Sequence, residues 1–184
     1  VKYLKTNPED IHRVLDDAFE TSQAMIVSED GFHFNNWDKK KVLPTVHDEE
    51  VGEPKMRDPK VWKDGDSYYM MMGSSYHDAG RVLFYTSKDG ENWTYANQCR
   101  PESYGWTIEC PDLFSQNGQW IFIGCPMRLT PGEKKYQDQA VWTLAEFDPK
   151  TCELKLPDTH SYVDYGLDLY APQTTLDAEG RRVM

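Results

Sequence analysis

At 184 residues the chain is long enough for one domain or for a piece of a larger one, and its 31 acidic against 20 basic side chains leave a net charge of −11. With no basic stripe, that balance argues against nucleic acid or an anionic membrane surface as partner. No apolar run reaches the ~20 residues of a membrane-spanning helix, and no signal peptide is visible.

Residues 7–19, NPEDIHRVLDDAF, predict one short helix. Asn7 caps it, Pro8 suits its first position, and Glu9 and Asp10 sit at its positive end. Ile11, Val14, Leu15, Ala18 and Phe19 then recur at helical spacing. Beyond the helix the pattern changes to short strands at 23–28, 67–73, 81–87, 119–125 and 140–147, rich in β-branched and aromatic residues. Asp30-Gly31, Asp64-Gly65, Asp89-Gly90 and Asn117-Gly118 mark turns, and Asp78, Asp89 and Asp138 are expected to be solvated in or beside turns. Met70, Met71 and Met72 read as core. Six Trp and eleven Tyr suit a β-rich core and equally a sugar-binding cleft, where flat rings meet the apolar faces of sugars. The chain starts at Val1 and ends, at GRRVM, in what reads as a strand. The expectation is therefore a portion of a longer protein.

Cys99, Cys110, Cys125 and Cys152 are spaced by 11, 15 and 27 residues, which fits no metal pattern. His12, His33, His47, His77 and His160 are scattered, so neither a metal nor a cofactor is expected. A chain of this size does not need disulfides to hold a core. Free thiols, a reducing compartment and a cytoplasmic address follow as expectations.

Internal repeats carry the architecture. SEDGFHFNNW (28–37) is echoed by SKDGENWTY (87–95), and RDPKVWKDGDSYYMMMG (57–73) aligns with ECPDLFSQNGQWIFIG (109–124). A third copy begins at APQTTLDAEGRRVM (171–184), where Pro172 precedes a strand and Gly180 makes the turn. Antiparallel repeats of this length predict propeller blades, in which the starts of successive inner strands meet at one mouth of a central channel. That geometry is expected to bring Asp58 and Glu109 together and to add DLYAPQ (168–173). Two carboxylates flanking a pocket are the minimum equipment for glycoside hydrolysis. Burial beside Ile108, Pro111 and Phe114 would favour a protonated Glu109, and Arg57, if it approaches Asp58, would keep that group ionised. The residues alone leave a plainer alternative, in which Asp-Pro and Glu-x-Pro are turn chemistry and Arg57 and Asp58 only tie down a strand start.

MRDPKVW (56–62), IECPDLF (108–114) and DLYAPQ (168–173), in this order and spacing, resemble glycoside hydrolase family 32, the group of invertases, sucrose-6-phosphate hydrolases, levanases and inulinases. SEDGFHF (28–34) and GRVLFYTSKDGENW (80–93) add weaker support, and the likeness runs from about residue 21 to the end, which makes the helix look like an insertion. The resemblance implies an all-β fold, a five-bladed β-propeller followed by a β-sandwich, of which residues 1–184 would hold roughly blades two to four as a partial catalytic domain. It implies Glu109 as general acid/base, Asp58 as the carboxylate that stabilises the transition state through fructosyl hydroxyls, and Arg57 as part of the fructosyl pocket. Tyr170 and Gln173 would join the substrate-binding set. The family nucleophile, an Asp in a motif like WMNDPNG, has no counterpart here, and TNPED (6–10) has the wrong order and lies too close to RDP. The 184 residues alone are therefore expected to be neither a competent hydrolase nor a stable monomer. The implied function is a retaining β-fructofuranosidase acting on sucrose or sucrose 6-phosphate. A fructan hydrolase, a fructosyltransferase or a non-catalytic carbohydrate-binding propeller are the alternatives. Asp168 is a weaker site candidate, and Trp106 a possible cleft wall. Strand alternation is expected to turn Cys110 away from the sugar. Lys134 and Lys135 are candidates for a 6-phosphate pocket, with a solvated loop as the plainer assignment.

Overall fold

Short β-branched and aromatic segments divided by two-residue turns pair as antiparallel hairpins. The computed structural model describes residues 23–25, 27–34, 40–43, 56–129, 138–166 and 168–184, and every regular element among them is a strand. The expected helix at 7–19, with His12, His47, Lys134 and Lys135, lies outside the described residues.

Strands β1 (Gln23–Met25) and β2 (Lys40–Leu43) form a first hairpin. β3 (Arg57–Asp64), β4 (Ser67–Tyr76), β5 (Ala79–Ser87) and β6 (Thr94–Cys99) follow as one four-stranded sheet in chain order. β7 (Thr107–Gln116), β8 (Gln119–Met127) and β9 (Val141–Asp148) repeat that plan. The outer edge of β9 is shared by two short pieces, β10 (Glu153–Lys155) at one end and β11 (Ser161–Tyr162) at the other. Pro157 lies between them and has no N–H to give the ladder. β12 (Thr175–Leu176) and β13 (Arg182–Val183) open a further hairpin. Meandering four-stranded sheets in series are propeller blades.

The turns explain the strand lengths. Asn117 and Gly118 have φ of 52° and 76°, the paired left-handed residues of a tight hairpin. His77 and Asp78, at 47° and 59°, make the same kind of turn without glycine, so β4 and β5 run on to Tyr76 and from Ala79, beyond the expected limits of 73 and 81. The Ser-x-Asp-Gly echo is structural. Gly31 N–H donates to Ser28 Oγ and Phe32 and His33 N–H to Asp30 Oδ1. Gly90 donates to Ser87 Oγ, and Glu91 and Asn92 to Asp89 Oδ1, at matching distances. These donors hold both carboxyls well below the usual aspartate range; the His33 side chain contributes most for Asp30, and the Asn92 N–H for Asp89.

The two blades pack through Tyr69, Met71, Val82, Phe84, Ile108, Leu113, Phe122, Val141 and Phe147. The opposite face of the first blade buries Met70, Met72, Leu83 and Tyr85 with Leu43 and Met56. The methionine run is thus core on both faces, as its composition predicts. Glycine is required where the blades touch: a Cβ on Gly73 would lie 2.2 Å from Ile108 O, and one on Gly80 2.4 Å from Tyr104 O. This close approach seats the start of β7 directly on the first blade.

Candidate active site

Each of the three repeats starts with a residue pair before proline, and the second member of each pair has a left-handed backbone: Asp58 (φ 55°), Cys110 (46°) and Ala171 (56°). In β3 and β7 the register slips at this point, between Arg57 and Lys60 and between Glu109 and Asp112. An extra residue in one strand is a β-bulge, a device that re-aims the neighbouring side chains. The first members of the three pairs, Arg57, Glu109 and Tyr170, are brought to one point. Arg57 Nη1 donates to Glu109 Oε1 at 2.5 Å, and Tyr170 Oη donates to Glu109 Oε2 at 2.8 Å. Partial burial, followed by this bond to a carboxylate, pushes the Tyr170 phenol far above its ordinary value, so it stays a donor.

As in the aligned repeats, Arg57 is the residue equivalent to Glu109, and Asp58, the left-handed residue of its bulge, corresponds to Cys110. An expectation is corrected here. Glu109 does not rest among apolar groups: its carboxylate, 18% exposed, is gripped by a guanidinium and a phenol, while Ile108 points into the core. Asp58 still reaches the site by another route. Its Oδ2 accepts the N–H of Cys110 at 3.0 Å, one residue from Glu109. Cys110 does not turn away, since the bulge breaks the alternation. Its Sγ lies 3.6 Å from Asp58 Oδ2, and burial, then the Asp58 charge, pushes the thiol up to about 12. Gln173 Nε2 donates to the Cys110 carbonyl at 3.0 Å, which places it at the bulge. Asp168 is exposed and makes no hydrogen bond among the described residues. Trp106 is half-buried just before β7, with the Arg128 guanidinium 5.4 Å from its ring centroid.

Beneath this point lies a second polar layer that sequence reasoning missed. Lys60 and Asp112 both follow the prolines of their repeats. Lys60 Nζ lies 3.1 Å from Asp112 Oδ1 and donates to the Thr174 carbonyl at 2.5 Å. Asp112 Oδ2 accepts the Thr174 N–H at 2.7 Å, and the carboxylate is fully buried. Opposite charges at the same place in aligned repeats were the readable signal. The layer joins all three repeats and floors the site. Among the described residues no cluster of His, Cys, Asp and Glu forms a metal site.

Residues 6–184 match the Glycosyl hydrolases family 32 N-terminal domain. The match begins well ahead of residue 21, where the motifs alone place the start of the likeness. The sucrose-6-phosphate hydrolase of Salmonella typhimurium is 36% identical over 138 residues, covering 70% of this chain and 29% of that protein. That of Bacillus subtilis is 31% identical over 174 residues, covering 90% and 35%. A Bombyx mori GH32 beta-fructofuranosidase superposes with a TM-score of 0.74 at 35% identity, over 88% of this chain and 35% of that one, and a variant of it in complex with sucrose superposes equally well. The chain therefore spans about a third of the length of these relatives. With matching motifs, matching blades and a match over nearly its whole length, the chain belongs to glycoside hydrolase family 32.

Proposed function

We propose that the full-length protein carrying this chain is a retaining β-fructofuranosidase that releases fructose from sucrose or sucrose 6-phosphate. The convergence of Arg57 and Tyr170 on the two oxygens of Glu109 carries this assignment. Each carboxylate oxygen has two lone-pair sites, so both donors leave room for the proton that Glu109 gives to the glycosidic oxygen. The C–O bond then breaks, and the fructosyl group passes to a nucleophilic carboxylate from another segment of the full-length protein. In the second step Glu109 takes a proton from water, which releases fructose. Asp58 holds fructosyl hydroxyls, with Arg57, Tyr170 and Gln173 fixing the surrounding geometry. In this scheme the 184 residues are part of a five-bladed propeller completed by the remainder of the protein, a cytoplasmic enzyme that requires no cofactor.

Fructose release from sucrose, sucrose 6-phosphate and fructan by the full-length protein tests the proposal, with Glu109→Gln beside wild type. General acid–base help is worth about 10²–10⁴-fold, so a rate loss of that size is expected. An unchanged rate would make Glu109 a structural carboxylate. Turnover of fructan alone, or transfer of fructose to a sugar, would select the fructan-active alternatives. Binding without turnover would select a carbohydrate-binding propeller.

A further inference from the structure

We propose that the seam between the two blades, at the end of the sheets away from Glu109, is a second binding site that takes a neutral saccharide of one or two sugar residues. It stands apart from the hydrolytic centre and does not depend on the fructosidase reading above.

The strand directions put this seam far from Glu109. β3 starts at Arg57, which holds Glu109, and ends at Asp64, which pairs with Ser67 at the start of β4. Its eight residues span roughly 20 Å at ~3.3 Å per residue. Beside Ser67 a cleft of about 580 Å³ opens between the first blade and the turn that follows β9 in the second, a size within the ~300–1,000 Å³ of small-molecule sites. Both walls are preformed. In the first, Asp89 accepts the Ser87 hydroxyl, the Glu91 and Asn92 N–H groups and the Asn92 side-chain amide. In the second, Asp148 accepts the Lys150 N–H and the Thr151 hydroxyl.

Tyr69 supplies the group that calls for a ligand. Its ring stacks on Trp62 with centroids 5.3 Å apart, and the residue is only 8% exposed. It nevertheless lines the cleft, and its hydroxyl has no hydrogen-bond partner among the described residues. A phenol this buried normally finds one. Burial, followed by its neighbours Cys152, Asp64 and Asp148, raises the phenol above its ordinary value, so it stays a donor. Lys88 Nζ donates to Ser67 Oγ at 2.8 Å and keeps two further N–H groups. Thr86 and Thr94 add hydroxyls that both donate and accept, and Asn92 offers its amide oxygen. The charges argue against an anion. Lys88 and Lys150 line the cleft, but so does Asp89, and the charges of Asp64 and Asp148 act on the same phenol. Interleaved donors and acceptors without an excess of positive charge match the hydroxyls of a sugar.

Isothermal titration of the full-length protein with sucrose and with inorganic phosphate tests the site, in a Glu109→Gln background that limits turnover. Tyr69→Phe and Thr86→Val are added separately, since each removes one hydroxyl and little else; circular dichroism checks that both variants fold. The expected result is a sucrose-binding event that each substitution weakens about two- to tenfold, the worth of a single hydrogen bond. Fructose release by Tyr69→Phe, with Glu109 intact, is expected to stay unchanged. Sucrose binding that neither substitution alters, or no binding at all, would overturn the site. Inorganic phosphate bound in a Tyr69-dependent way in place of sucrose would overturn its assignment to a neutral saccharide. A loss of fructose release in Tyr69→Phe would overturn its separation from the hydrolytic centre. Failure of wild type to release fructose would defeat the fructosidase reading alone, because the Tyr69-dependent event requires no turnover.

Discussion

Asp58, Cys110 and Ala171 share a backbone conformation that L-residues avoid at about 1–2 kcal/mol each, and a following proline normally pushes its predecessor towards extended geometry. The same strain at the same place in three repeats is maintained because it turns Arg57, Glu109 and Tyr170 towards one another. Of the three, only aspartate belongs to the residue types that tolerate left-handed φ, so the sequence carried no warning at Cys110 or Ala171. Strand alternation, applied there as a rule, gave the wrong direction for the thiol. Ala171 offers a clean test, since glycine keeps the conformation without a Cβ. Glycine usually costs roughly 0.5–1 kcal/mol in a strand. Here Ala171→Gly should be neutral or stabilising by up to about 1 kcal/mol in chemical denaturation. A loss of about 1 kcal/mol would mean that the left-handed turn is not strained.

The inner strands act together through the Lys60–Asp112–Thr174 layer. A fully buried carboxylate on a lysine side chain that is 16% exposed is costly to break from one side, because the remaining charge is stranded. Asp112→Asn should destabilise by about 3–5 kcal/mol and free the third repeat, lowering fructose release as Tyr170 loses its place. A midpoint of denaturation equal to wild type would show that the layer is not a clamp. The repeats themselves were legible, because prolines, turn glycines and aromatic strands recur in order. β6, β10 and β11 were not. TYANQC and ELK have little pattern of their own and take strand form from the neighbours they pair with. Likewise the turn at His77 and Asp78 lacks the glycine that marks its counterpart at Asn117 and Gly118.

Across the whole molecule the four cysteines are free, and three of them are buried. Burial is the main cause that raises Cys99, Cys125 and Cys152 to about 11, and Tyr85 and Tyr104 to about 12. The folded state thus favours the neutral acids. The thiols' contribution is complete below their ordinary value of 9.0 and disappears as pH rises through 11, and that of the two tyrosines follows from 10.0 through 12. The melting temperature should fall between pH 9 and 11, with thiols becoming reactive in the same window; a flat profile would contradict their burial. Family and blade plan were legible because RDP, ECP and YAPQ recur at blade spacing. The partners of Glu109 were not, because they depend on how three distant bulges meet. That meeting is the central claim, and a double-mutant cycle of Glu109→Gln and Tyr170→Phe on fructose release by the full-length protein tests it most directly. If Tyr170 acts through Glu109, each single variant slows release and the double variant is no slower than Glu109→Gln alone. Losses that simply multiply would mean that the two side chains work independently and that the convergence has no catalytic role.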